Sequence, residues 1–232
     1  MRCWHKELYS MGKTAIILGA SGLTGGFLLQ ELLEDINYSQ IKIFARSPLR
    51  TKHEKVTEYI GDLLNLEAFQ SDFTGDVVFC CIGTTLKKTP DKNLYRKIDF
   101  GIPVTTAKLC KANNISTLVV ISSLGANAKS SFFYPRTKGE MEASVLSYAI
   151  ENTYLLQPSF ITGKRTESRF LEYVGFCITK LLSFVMVGPL KKFKSITAVS
   201  LAKSMHTLAE GSNTLSTRIP SDQIVKLIQS NT

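Results

Sequence analysis

No stretch of this chain stays apolar for the roughly 20 residues that a helix needs to cross a bilayer. The most lipophilic run, VGFCITKLLSFVMV at 174–187, is too short and is broken by Lys180, so a membrane span is not expected. The first twelve residues, MRCWHKELYSMG, hold charges and no apolar segment of signal-peptide length, which speaks against export and for a cytoplasmic protein. Cysteine is scarce. The five thiols, Cys3, Cys80, Cys81, Cys110 and Cys177, are odd in number and lack the short paired spacing of a zinc site. Adjacent Cys80 and Cys81 are poorly placed to bridge, which suits a reducing compartment, while Cys110 and Cys177 read as small packing residues. His206 stands alone in a helical pattern, and no metal site is expected. The 15 Gly and 7 Pro lie between periodic segments and form no repeat, which excludes a fibrous or low-complexity chain.

What is present is enough apolar material for one large core: 232 residues, 44% hydrophobic. Lys and Arg number 28 against 19 Asp and Glu, a formal charge of +9 that attracts phosphate-bearing molecules or anionic lipid. No recognition helix or aromatic nucleic-acid module accompanies it, so a nucleic-acid partner is not expected. Residues 170–193 mix aromatics and aliphatics with Lys180, Lys191 and Lys192. They suit a core or substrate-side helix followed by a basic turn, with weak membrane-surface association as the alternative.

The apolar period alternates between strand and helix. TAIIL at 14–18 ends at Gly19, and FLLQELLED at 27–35 follows with helical spacing. Strands are then expected at 41–45, 55–60, 76–82, 116–121 and 153–157, with helices including 102–111 and 138–149. Such βαβ units predict an α/β, Rossmann-like, doubly wound and mostly parallel sheet with helices on both faces. Beyond Gly163 the rhythm loosens into helices at 167–180 and 199–210, a short strand at 213–217 and a last helix begun by Pro220 and Ser221. Residues 13–232 are expected to form one domain after an extension at 1–12, with 159–212 supplying most of a substrate-side lobe.

Gly19, Gly22 and Gly25 make G-x-x-G-x-x-G at the first strand-to-helix junction. Missing side chains there permit a tight turn and close approach of a pyrophosphate, which the helix N-terminus attracts through its unpaired N–H groups. Ser21, Leu23 and Thr24 belong to the same cradle. After the second strand the chain has Arg46 and Ser47, where arginine can bind a ribose 2′-phosphate and a carboxylate would instead bind the 2′-hydroxyl. NADP(H) is therefore the expected cofactor, with NAD(H) as the alternative. Asp62 can accept from an adenine amino group beside the Leu63 backbone, or else cap a turn. Cys81, Ile82 and Gly83 end the fourth strand where a cofactor would cross the sheet, and Thr84 can bond phosphate or ribose.

Tyr134 and Lys138 are four residues apart, so one helix face brings an ammonium to a phenol. Tyrosine is a weak acid, with a pKa of about 10, and a neighbouring cation favours its phenolate. Tyr134 can then give a proton to a carbonyl oxygen that is accepting hydride. Ser123, at the exit of the fifth strand, can orient the same carbonyl, or Ser122 can, because the pleat turns neighbours oppositely.

Together these residues resemble the short-chain dehydrogenase/reductase superfamily, in particular its atypical branch. The likeness runs through GASGLTG at 19–25, ARSP at 45–48, GD at 61–62, SSLGAN at 122–127, YPRTKGEME at 134–142 and QPSFITGKRTESR at 157–169. It implies catalytic roles for Ser123, Tyr134 and Lys138, with Tyr134 and Lys138 also meeting the cofactor. It also implies that Pro158, Ser159, Phe160 and Ile161 line the nicotinamide end. The family's additional proton-relay asparagine has no evident counterpart: Asp99 lies in the region and reads as a cap for the helix through Pro103. The function expected is an NADP(H)-dependent oxidoreductase acting on a small carbonyl or alcohol, or a sugar nucleotide, as a monomer or homodimer. The alternative is an NADPH-responsive interaction protein with little turnover.

Overall fold

The computed structural model describes residues 12–49, 52–163, 195–211 and 217–229. The expected extension at 1–12, the helix at 167–180, Cys177 and the basic aromatic stretch 170–193 lie wholly or almost wholly outside them, as does most of the strand expected at 213–217.

Each run predicted as a strand before Gly163 enters one sheet. The strands are β1 (Lys13–Leu18), β2 (Tyr38–Ala45), β3 (Val56–Ile60), β4 (Val77–Cys80), β5 (Thr117–Ile121), β6 (Asn152–Gln157) and, late in the chain, Arg218–Pro220. They pair in parallel, in the order β3-β2-β1-β4-β5-β6 with the late strand outermost beside β6. The order reverses between β1 and β4, which opens a crevice beyond the carboxyl ends of those two strands.

The helices are α1 (Leu23–Glu34), α2 (Lys92–Arg96), α3 (Ile102–Ala112), α4 (Phe133–Leu146), α5 (Ala198–Ala209) and α6 (Ser221–Gln229). Before α5, two short strands, β7 (Ile161–Thr162) and β8 (Ile196–Thr197), pair in parallel away from the main sheet, so the late strand Arg218–Pro220 is β9. Because strand side chains alternate, consecutive residues feed opposite cores. Ile17 joins Leu28, Leu32, Met205, Leu208 and Ile224 on one face. Ile16 joins Val78, Ile102, Cys110, Met141 and Val145 on the other. Burial on both faces explains why β4 and β5 read as unbroken apolar runs.

Several boundaries differ from the sequence expectation. The first helix begins at Leu23, directly from the Gly turn. The fourth strand stops at Cys80, so Cys81 and Ile82 belong to the turn. The helix expected at 138–149 begins five residues earlier, at Phe133, and ends at Leu146. Ala149 cannot continue it, since its φ is +49°. The last helix begins at Ser221, after Pro220 closes β9.

Candidate functional site

The turn after β1 is fixed by backbone geometry. Gly19 has φ +87°, and a side chain there would meet the Cys81 carbonyl carbon and oxygen at 3.0 Å. Gly22 donates its N–H to the Gly19 carbonyl at 2.9 Å. A Cβ on Gly25 would sit 2.2 Å from the Gly19 oxygen, so α1 can pack this close only without one. Gly22 is the N-cap of α1 and provides no side-chain cap, which leaves the helix start able to receive an anion. A cavity of about 340 Å³ opens here, lined by Ala20, Ser21, Gly22, Leu23, Gly26 and Leu49 among others. The glycines and the uncapped helix end fit a pyrophosphate, and Ser21 stands exposed above them while Thr24 is buried.

Arg46 and Ser47 follow β2 and are exposed; no described residue makes a hydrogen bond or ion pair with the Arg46 side chain. Asp62 follows β3 and uses one carboxylate oxygen to cap the 3-10 turn Leu63–Phe69, accepting from Leu64 N at 2.9 Å. Leu63 turns its side chain into the core. In the turn after β4, Cys81 is buried with its thiol 3.9 Å from Met205 Sδ, while Ile82 and Gly83 are half-buried. Thr84 is held at both ends: its hydroxyl pairs with Thr89 Oγ at 2.8 Å, and its N–H donates to Asp99 Oδ2 at 2.7 Å.

At the carboxyl end of β5 the two serines have different partners. Ser122 gives its hydroxyl to the buried Glu142, which also accepts from Gln157 Nε2 at 2.8 Å and Arg218 Nε at 2.7 Å. Ser123 is buried beside it, and among the described residues its hydroxyl makes only a long contact of 3.4 Å with the Leu124 carbonyl. Ser123 is thus the serine less committed to internal bonds.

Starting α4 at Phe133 puts Tyr134 and Lys138 in its first two turns. The Lys138 side chain is 4% exposed, and its Nζ lies 3.0 Å from Oδ1 of an equally buried Asp99. Burial pushes the ammonium toward losing its proton, but Asp99, then Tyr134, more than offset this, and the pKa lies above the ordinary lysine value. Asp99 therefore does not cap a helix. It lies inside a π turn, Lys97–Gly101, that joins α2 to α3. Sequence reasoning missed this pairing because the partners are 39 residues apart on separate elements; a carboxylate four positions before a proline carries no period to reveal it.

At the end of β6 the backbone of residues 158–161 is laced to its neighbours. Pro158 O accepts from Leu124 N at 3.0 Å, Phe160 O accepts from Ile196 N at 2.7 Å, and Ile161 pairs with Ile196 in the small sheet. Ser159 bonds Ser221 through both its N–H, at 3.3 Å, and its hydroxyl, at 3.2 Å. All these positions stand at the carboxyl edge of the sheet. His206 is far from this edge: it bonds Asp35 at 2.7 Å near Glu210, whose carboxylate already receives Tyr38 and Lys13. Asp35 and His206 bond each other, while Glu210 is held by Tyr38 and Lys13.

Among the described residues no helix is long and apolar enough to cross a membrane. A family model described as NAD(P)H-binding matches residues 19–161. The chain is 35% identical over 175 residues to Protein HTATIP2 of Rattus norvegicus, covering 74% of this chain and 72% of that protein. It is 32% identical over 167 residues to the mitochondrial Protein FMP52 of Candida albicans, covering 68% and 71%. Its fold is similar to that of MoeE5 in complex with UDP-glucose and NAD (TM-score 0.66, 16% identity, 94% of this chain and 82% of that one). It is also similar to the UDP-glucuronic acid 4-epimerase from Bacillus cereus in complex with NAD (TM-score 0.63, 16% identity, 89% and 77%).

Proposed function

This chain belongs to the NAD(P)H-binding family, in the atypical branch of the short-chain dehydrogenases/reductases, and from that premise we propose that it is an NADP(H)-dependent oxidoreductase. Its substrate in this proposal is a small carbonyl or alcohol compound, or a sugar nucleotide such as the one bound by MoeE5. The observation that carries the proposal is the buried, ion-paired Lys138 one turn from Tyr134, on the same sheet edge as an uncapped Gly turn.

Gly19, Gly22 and Gly25, with the N–H groups opening α1, would hold the pyrophosphate, and Ser21, Leu23 and Thr24 would flank it. Arg46, with Ser47, would select the 2′-phosphate, and the Asp62 carboxylate oxygen not used in capping would meet the adenine beside Leu63. Cys81, Ile82, Gly83 and Thr84 would border the ribose and nicotinamide from the β4 side, and Pro158, Ser159, Phe160 and Ile161 from the β6 side. Bound there, the dinucleotide supplies or accepts the hydride.

In the reducing direction the Tyr134 phenol donates its proton to the carbonyl oxygen as negative charge develops on it. Lys138 holds that phenol under positive potential, and Ser123 donates a hydrogen bond to the same oxygen. Water exclusion follows from the burial of Ser123 and Lys138. We propose the cytoplasm as its compartment, with the mitochondrial names of the fungal relatives as the competing address.

Tyr134→Phe removes one oxygen and should lower kcat by about 100- to 10,000-fold, while NADPH affinity changes little. The test is steady-state turnover over a panel of carbonyl compounds and sugar nucleotides, with NADPH fluorescence titration beside it. Full turnover in the Phe variant would refute the assignment of Tyr134.

A further inference from the structure

Two carboxylates are buried at the carboxyl edge of the sheet. Glu142 is shared among three donors and binds the ends of β5, β6 and β9 together. Asp99 has a different set of partners: one oxygen takes the Thr84 amide and the other the Lys138 ammonium. Three segments meet at this side chain: the turn after β4, the π turn before α3, and the start of α4.

The π turn explains how Asp99 gets there. An i→i+5 turn admits one extra residue and rotates the side chains that follow, and such turns recur at functional sites. Here it points Asp99 inward while Lys97, two residues before it, stays exposed. Lys138 is nearly as enclosed, and an ammonium taken out of water without a countercharge loses its proton. Among the described residues the titratable groups acting on it are Asp99 from the π turn, Tyr134 from its own helix and Cys80 from β4. Burial pushes the Cys80 thiol up to about 11, so it stays neutral at physiological pH. Of the three, Asp99 is the carboxylate, and it forms the ion pair with the ammonium.

We propose that Asp99 is a positioning residue for Lys138: its carboxylate holds the ammonium beside Tyr134 and, through the Thr84 amide, locks the turn after β4 to the catalytic helix. This deepens the oxidoreductase proposal and rests on it. It gives the site one rigid distance between the turn that would border the nicotinamide and the group that would transfer the proton.

Asp99→Asn tests it, because the amide keeps the shape and an acceptor for Thr84 N–H but removes the charge. Lys138 Nζ, followed by NMR in the protein without cofactor, should then titrate at least about one pH unit below the wild type, a tenfold change in its proton affinity. NADPH affinity should change less than about threefold, a control for folding. The alkaline limb of turnover should move to lower pH with a larger effect on kcat than on KM. An unmoved Lys138 titration in folded Asp99→Asn overturns the proposal. Wild type gives a second measurement, independent of any variant: the Lys138 Nζ protons should exchange slowly with water, and exchange as fast as that of surface lysines overturns the proposal equally. Neither readout needs substrate, so wild-type protein without turnover would refute the oxidoreductase proposal and still leave Asp99 to be decided.

Discussion

Arg46 carries the choice of dinucleotide in our proposal, and its surroundings make that choice testable. The guanidinium is exposed just past β2, and no described partner competes for it. A 2′-phosphate there would gain charge-assisted hydrogen bonds, each worth about 1.5–3 kcal/mol. Arg46→Ala should therefore weaken NADPH about ten- to hundredfold and leave NADH nearly unchanged, as calorimetry would report. Equal losses for both cofactors would remove Arg46 from the selection. At this scale the sequence named Arg46 and the Tyr134/Lys138 pair from local spacing alone. Local spacing left Ser122 and Ser123 both open and the family resemblance pointed to Ser123; neither could show that Glu142, twenty residues away, captures the Ser122 hydroxyl.

Helix α4 carries the tyrosine and the lysine, and its position depends on a residue whose role the sequence pattern conceals. Gly139 packs so tightly on the preceding loop that a Cβ would stand 2.1 Å from Ala128 N and 2.3 Å from the Asn127 carbonyl carbon. Both are backbone atoms and cannot rotate away. Gly139→Ala should cost about 1–3 kcal/mol of stability, as overpacking does, measured by urea denaturation. It should also reduce turnover more than NADPH binding, since the displaced helix carries Tyr134 and Lys138 but not the Gly turn. A variant as stable as wild type would show that the loop at 127–128 yields freely. The apolar period also mislocated the start of this helix, for a physical reason. Thr137, Lys138 and Glu142 are all buried and polar, Thr137 satisfied by the Phe133 carbonyl of its own helix and the other two by bonds to other elements, so the buried face of α4 does not read as apolar.

For the whole molecule, the family assignment makes a dinucleotide a ligand of the folded state alone. At a hundred times its Kd, NADPH should add about 2.7 kcal/mol to stability and raise Tm by several degrees, with a smaller shift from NADH at the same concentration. Scanning calorimetry checks this, and no shift from either dinucleotide would contradict a site at the Gly turn. The formal charge of +9 adds a long-range attraction for such polyanions, which salt should weaken.

The amino-acid order by itself determined the parallel sheet, its two covered faces and the phosphate turn, because strand period, helix period and glycine spacing are local and each follows from backbone geometry. Tertiary structure alone decided which serine bonds Glu142, where α4 begins, and that Asp99 is an ion-pair partner and not a cap. Those outcomes depend on burial and on bonds between segments 15 to 76 residues apart. In such places a polar side chain takes its role from the neighbours that folding brings to it.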